Sequence, residues 1–80
     1  MGWPSDEKAL ELVEKAVEIA PQHPTNLLLH AQLLLEFNRS EEARTQLETI
    51  LSLDPRPDFL VEDRYVQHRA QELMNSAFPS

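Results

Sequence analysis

The stretch 18-EIAPQHPTN-26 places two prolines, Pro21 and Pro24, three positions apart between segments rich in leucine, valine and alanine. A similar stretch, 52-SLDPRPD-58, follows 34 residues later. Proline has a fixed φ, lacks an amide hydrogen and restricts the residue before it, so it ends a helix or occupies its first turn. The two stretches therefore predict helices separated by short turns.

The sequence also repeats itself at the offset of 34 residues that separates these stretches. Four identical pairs occur at this offset: Glu7 with Glu41, Ala9 with Ala43, Glu14 with Glu48, and Pro21 with Pro55. The apolar pattern recurs too, since Val13 aligns with Leu47. Self-similarity at a fixed period of this length is typical of stacked helical hairpins.

Apolar spacing predicts two helices around the first proline pair. The first covers residues 6–20, with Ser5 as its N-cap and Pro21 as its stop. The second begins at Pro24, with Thr25 as a candidate cap, and continues to about residue 37. It contains two leucine triplets and is apolar nearly all round, so it requires neighbours on more than one side.

Two further helices are predicted after a tight turn. Asn38 suits a left-handed C-terminal turn, and Ser40 is the expected N-cap of a third helix that ends before Pro55. A fourth helix is expected over residues 60–77. Its apolar stripe contains Val66, Ala70, Leu73 and Ala77, flanked by Tyr65 and Met74, and its polar face carries Glu62, Asp63, Arg69 and Glu72. Such a narrow stripe is typical of a terminal capping helix.

These residues resemble the tetratricopeptide repeat, a helix–turn–helix unit of 34 residues with characteristic small, large and proline positions. The positions that carry the resemblance are Leu27, His30, Ala31 and Leu34 in one helix and Ala43, Leu47 and Pro55 in the next. The resemblance implies an all-α fold of antiparallel helical hairpins, an α-solenoid with four helices.

The resemblance also implies an organisation for the single domain, residues 1–80. Residues 6–20 match the second helix of a half repeat, residues 24–57 a full repeat, and residues 58–78 a C-terminal capping helix. We expect an excised piece of a longer solenoid, with Met1 and Gly2 as additions and Trp3 packed over the exposed end. The alternative is a small self-contained gene product.

In the family that the chain resembles, the first helix of each hairpin lines a groove that binds peptides. The matching positions are Thr25, Leu28, Gln32, Leu35 and Glu36. The resemblance thus implies peptide binding, with Leu28 and Leu35 as apolar anchors and Gln32 as a hydrogen-bonding group. In the alternative interpretation, the fourth helix or an upstream helix covers these leucines.

The resulting functional hypothesis is a non-catalytic protein–protein interaction or scaffold module whose partner is a protein or peptide. One alternative is structural homo-oligomerisation, in which the exposed face of the first or second helix pairs with another copy to form a homodimer. Another is an accessory segment of a larger enzyme or assembly. Neither the partner nor the process served is encoded in a recognisable motif.

Composition excludes several other classes of function. A formal charge of −7, from 14 acidic and 7 basic residues, disfavours nucleic acid and anionic membrane surfaces as partners. The chain has no cysteine and no apolar segment long enough to span a membrane, and its first residues lack the basic and apolar regions of a signal peptide. The expectation is a soluble protein, with the cytoplasm favoured only because no targeting signal points elsewhere.

No catalytic, cofactor or metal site is predicted. His23, His30 and His68 lack the spacing of metal ligands, and His30 is expected to be a partly buried histidine with a hydrogen-bond partner. The acidic pair Glu41 and Glu42 lies at a helix N-terminus, where the helix dipole lowers carboxyl pKa values, unlike those of a general acid. The only glycine is Gly2, so a glycine-rich phosphate loop is absent.

Overall fold

The computed structural model describes residues 6–78, and over this range the chain forms four α-helices joined by short turns. The helices are α1 (Asp6–Ile19), α2 (Pro24–Glu36), α3 (Ser40–Ser52) and α4 (Leu60–Ala77), with a 3₁₀ turn at Pro57–Phe59. The predicted all-α hairpin fold with four helices is confirmed. The expected roles of Ser5 and Trp3 fall outside the described residues.

The first proline pair separates α1 from α2 as predicted, but the cap differs. Pro24 is the first residue of α2, and His23 is the N-cap in an extended conformation (φ −81°, ψ 111°). Thr25 therefore lies inside the first turn, because the fixed φ of proline already suits that position and proline has no N–H to be capped. The expectation that Thr25 caps α2 is wrong.

Asn38 ends α2 in the left-handed conformation, with φ 60°. The Asn38 N–H donates to the Leu35 carbonyl at 3.1 Å, and the Arg39 N–H donates to the Leu34 carbonyl at 2.8 Å. These two bonds form a Schellman motif, which satisfies the last carbonyls of the helix. Ser40 is the first residue of α3 rather than its cap, since Arg39 holds the cap position without a side-chain hydrogen bond.

The core surrounds α2, which packs against α1, α3 and α4. Its largest fully buried side chains are Leu27, Leu34, Leu47 and Ile50. Three alanines, Ala31, Ala43 and Ala70, have no exposed surface and allow the helices to approach closely. The prediction that α2 has neighbours on more than one side is confirmed.

The Gln67 side chain of α4, which the apolar pattern did not identify, binds the end of α3. The Gln67 side-chain amide donates to the Ile50 carbonyl at 3.1 Å and to the Leu53 carbonyl at 2.7 Å. Ile50 lies in the last turn of α3 and Leu53 follows the helix, so these two bonds attach α4 to the end of α3. Val66 and Ala70 are buried beside it, as the apolar stripe predicted.

Candidate interaction surface

The five positions implied for peptide binding lie along α2 but differ in exposure. Thr25 and Glu36 are exposed, and Gln32 and Leu35 are half-buried. Leu28 is only 9% exposed and belongs to the core cluster that includes Val66 and Ala70 of α4. For Leu28, the structure therefore matches the alternative in which the fourth helix covers the leucine.

The accessible part of this surface is a line of polar groups with an apolar edge, which we call the α2 stripe: Thr25, Gln32, Leu35 and Glu36. Within the described residues, the Thr25 hydroxyl, the Gln32 amide and the Glu36 carboxylate make no side-chain hydrogen bond or ion pair. Leu35 packs by one side against the cluster of Leu10, Leu34 and Ala43 and remains partly accessible. The stripe can thus offer unused donors and acceptors beside an apolar side chain.

The outer face of α3 provides a contrast, because its polar groups are already occupied. The Thr45 hydroxyl donates to the Glu41 carbonyl at 3.1 Å, and the Thr49 hydroxyl donates to the Thr45 carbonyl at 2.9 Å. Arg44 and Glu48 approach to 3.8 Å. This face has fewer free hydrogen-bonding groups to offer a partner.

His30 forms the centre of a polar cluster that joins three helices. The residue is 8% exposed. The Gln46 side-chain amide donates to Nδ1 at 2.7 Å, which leaves Nε2 to donate to the Glu14 carboxylate at 3.3 Å. The prediction that His30 has a hydrogen-bond partner is confirmed, although the residue is buried rather than partly buried, and the cluster links α2 to α1 and α3.

Arg39 extends this cluster towards the surface. Its guanidinium approaches the Glu42 carboxylate to 2.6 Å and the Glu14 carboxylate to 3.5 Å. The hydrogen bond from Arg39 lowers the pKa of Glu42 below its ordinary value of 4.5. The direction agrees with the prediction for this carboxylate, and the hydrogen bond from the Arg39 guanidinium is its leading cause.

The histidines do not converge on a metal site in the part of the chain that the structure describes. No three His, Asp or Glu side chains there come together as metal ligands would. His68 lies on the exposed side of α4, where its Nε2 is 3.7 Å from the Glu72 carboxylate. His30 is engaged with Glu14 and Gln46, so each of these two histidines has a structural partner.

The turn before α4 contains an ion pair that sequence reasoning missed. Asp63, expected on the polar face, is only 3% exposed, so that expectation is wrong. Its Oδ2 accepts hydrogen bonds from the Arg56 backbone N–H at 2.8 Å and Arg56 Nε at 3.0 Å, and Oδ1 accepts one from Nη2 at 2.8 Å. The Arg56 guanidinium also lies 4.4 Å from the centroid of the Phe59 ring.

This ion pair borders a cleft between the two proline turns. The cleft has a volume of about 410 Å³ and is lined by Gln22, Pro24, Ser52, Leu53, Asp54, Arg56 and Asp63. The two proline-containing stretches of the repeat thus lie side by side in space. Because Asp63 is already bonded to Arg56, the pair holds this edge of the fold together.

Acidification is expected to weaken the Arg56–Asp63 contact. The side-chain and backbone hydrogen bonds from Arg56 lower the pKa of Asp63 from 3.8 to about 2. A carboxyl whose pKa is lower in the folded state stabilises the fold fully above its unfolded pKa, and this contribution is lost as the pH falls towards the folded pKa. Urea unfolding should therefore show Asp63→Asn less stable than wild type at about pH 7, with the difference shrinking between about pH 4 and pH 2.

An exposed aspartate supplies the control for this pH dependence. Asp58→Asn, in the same turn, should differ little from wild type at any pH, because surface substitutions away from special contacts change stability by about 0.5 kcal/mol or less. An Asp63→Asn deficit that persists unchanged at about pH 2 would show that ionisation of Asp63 is not its cause.

The fold and this surface define a class of protein: antiparallel helical hairpins stacked around a central helix whose outer side presents free polar groups. A family model described as the tetratricopeptide repeat matches residues 7–60, and the chain belongs to this family. No curated protein and no solved structure matches the chain. Repeats of this family generally mediate protein–protein interaction or scaffolding and are typically non-catalytic.

Across residues 6–78, no helix combines the length and apolar character needed to cross a membrane.

Proposed function

We propose that the chain is a non-catalytic interaction module that holds a peptide segment of a partner protein along the α2 stripe. The observation that carries the proposal is the unused hydrogen-bonding capacity of Thr25, Gln32 and Glu36, in contrast with the occupied outer face of α3. Leu28, which the resemblance placed among the anchors, supports the stripe from beneath by packing against α4. Leu35 is then the apolar contact on the accessible side.

The stripe favours a short extended peptide of neutral or basic character. Thr25 and Glu36 are separated by eleven helical steps, or about 16 Å, which matches about five residues of extended chain. The Gln32 amide can both donate to and accept from a peptide backbone. Glu36 and the net charge of −7 favour a basic side chain at the end of the peptide nearest to Glu36.

The experiment begins with a displayed library of random peptides, from which binders to the wild-type chain are selected. Their affinities are then measured by titration calorimetry against Gln32→Ala and Glu36→Arg. We expect Glu36→Arg to weaken a basic binder by about tenfold, equivalent to 1.4 kcal/mol, because attraction is replaced by repulsion. Gln32→Ala should weaken binding regardless of peptide charge.

Matched changes on α3 serve as controls. Thr45→Ala and Glu48→Arg remove an exposed polar group and reverse an exposed charge without touching the α2 stripe. They should leave affinity within about twofold of wild type, since surface charges far from a contact are largely screened. The assignment of the stripe would be overturned if the α2 and α3 variants lost affinity equally, or if neither set of variants changed the affinity of the selected peptides.

A further inference from the structure

Within residues 6–78, two surfaces with exposed apolar side chains have no packing partner, and the first is on α1. Ala9, Leu12, Ala16 and Ile19 lie at helical spacing on one side of α1, which we call the α1 face. Leu12 is 57% exposed and Ile19 is 85% exposed. Single exposed apolar residues are common, but this face combines two of them with two small residues over the whole helix.

The second surface is on α4, on the side opposite its buried stripe. Val61, Arg64, Tyr65 and His68 follow one another at helical spacing and form what we call the α4 face. Val61 is 85% exposed and Tyr65 is 61% exposed. This face points away from the core, because Val66 and Ala70 are the residues of α4 that pack inward.

The 34-residue repeat relates these two surfaces to a contact that already exists within the molecule. On the α1 face, Ala9 and Ala16 align with Ala43 and Ile50 of α3, which are fully buried. The α1 face is therefore the counterpart of the side of α3 that packs against α2, as the core clusters show.

The α4 face is the counterpart of the other half of the same contact. Val61, Tyr65 and His68 align with Leu27, Ala31 and Leu34 of α2, which are each at most 1% exposed. In α2 these positions meet α3. The α1 face and the α4 face are thus equivalent to the two sides of the α2–α3 hairpin.

We propose that the chain associates with itself head to tail, with α4 of one copy packed antiparallel against α1 of the next. This contact follows the antiparallel order of α2 and α3, with a wider spacing where Tyr65 stands in place of Ala31, and covers Leu12 and Ile19 of one copy with Val61 and Tyr65 of the other. The occupant of each face is a second copy, because each face has its complement on the opposite end of the same chain.

Charge complementarity supports this choice of occupant. Arg64 aligns with His30, which in the α2–α3 hairpin shares a cavity with Glu42, Thr45 and Gln46, and these three residues align with Lys8, Glu11 and Leu12. The head-to-tail contact therefore places Arg64 of one copy near Glu11 of the other, with Lys8 one turn further along α1. Among the ion pairs of the described residues, neither side chain has a partner within one copy.

A neighbouring lysine fits the same arrangement. Lys8 aligns with Glu42 and lies one turn from Glu11, towards the end of the contact where α4 carries His68 and Glu72. Glu72 is one turn beyond His68 on α4, so the contact places Lys8 of one copy near the Glu72 carboxylate of the other.

The symmetry of the contact gives it a distinctive signature. Two different surfaces meet, so the contact is heterologous, and it produces a growing series or a closed ring rather than a simple two-fold dimer. Sedimentation velocity of the wild-type chain should show an average mass that rises with concentration up to about 1 mM, a range that includes weak association. A monomer at all these concentrations overturns the proposal.

Two variants block one face each. Ile19→Asp places a charge in the α1 face, and Val61→Asp places one in the α4 face; both residues are 85% exposed, so the fold should be retained, as circular dichroism would verify. Each variant alone should be monomeric. An equimolar mixture should form a 1:1 complex that does not grow, because each variant retains the face that the other lacks. A mixture that stays monomeric, or single variants that still associate, contradicts the head-to-tail contact.

A charge exchange tests the alignment of the two helices. Glu11→Arg and Arg64→Glu should each weaken association, and the chain carrying both changes should recover it, because the opposite charges still meet across the contact. Failure of the double variant to recover overturns the proposed alignment. Thr45→Asp, on the outer face of α3, is the matched control and should associate like wild type.

This inference does not rest on the proposed function. The Ile19→Asp variant retains the α2 stripe, so a selected peptide should bind it as it binds the wild-type chain. Loss of self-association with retained peptide binding separates the two proposals.

Discussion

Replacement of Leu47 by alanine is expected to lower the free energy of unfolding by about 2–5 kcal/mol. Leu47 lies on α3, is fully buried, and belongs to the cluster that joins α2, α3 and α4. Truncation removes buried apolar surface and leaves a cavity that the three helices can only partly close. A domain of this size has a total stability of only about 4–12 kcal/mol, so much of it is lost.

Chemical denaturation followed by circular dichroism measures this loss. Leu12→Ala is the matched control, since Leu12 is 57% exposed and the same truncation there should cost about 0.5 kcal/mol or less in dilute solution. Similar losses for both variants would mean that Leu47 is not part of the core.

The second large effect is expected from enlarging Ala31. Ala31 has no exposed surface and lies where α2 contacts α3 and α4. Ala31→Leu inserts three carbon atoms into this contact and should cost about 1–3 kcal/mol through overpacking, or more if the helices are forced apart. Denaturation curves and the near-ultraviolet circular dichroism of the folded state would report both effects.

An alanine at the end of α4 supplies the comparison for Ala31. Ala77 is exposed, so Ala77→Leu should change the free energy of unfolding by about 0.5 kcal/mol or less. If Ala31→Leu is as well tolerated as Ala77→Leu, the helices do not approach each other closely at Ala31. Together, the Leu47 and Ala31 variants test both large and small positions of the repeat.

The arrangement of helices was largely predictable because its signals are local. Pro21 and Pro24 restrict the backbone wherever they occur, and Asn38 tolerates positive φ, so these residues mark the turns without reference to the rest of the fold. The 34-residue repeat then predicted that these helices pack as stacked hairpins. At the helix ends the caps were misplaced, since Thr25 and Ser40 lie in the first turns of α2 and α3, and His23 and Arg39 hold the cap positions.

Asp63 was misplaced because its burial depends on a partner from a different segment. The apolar pattern of α4 gives no reason to bury a carboxylate, which is costly without hydrogen bonds. Arg56, held beside it by the turn that contains Pro57, provides three of them. A rigid proline turn followed by an aspartate in the first turn of a helix is the signal that could have suggested the pair.

The candidate surface was harder to predict than the fold. Helical spacing placed Leu28 and Gln32 on one side of α2, but exposure depends on how far α4 overlaps α2. Ala70 allows α4 to lie close to α2, and Leu28 is buried as a result. The availability of Gln32 and Glu36 likewise depends on which of their neighbours form hydrogen bonds elsewhere, and spacing alone does not contain that information.

The central claim, that the α2 stripe is the binding surface, is tested most directly by mapping amide chemical shifts in the ¹⁵N-labelled chain. A peptide selected against the wild-type chain is added stepwise to the Ile19→Asp variant, which removes the contribution of self-association. The account predicts the largest shift changes at Thr25, Gln32, Leu35 and Glu36, with little change at Thr45 and Glu48 on α3. Shift changes centred on α3, with the α2 stripe unaffected, would contradict it.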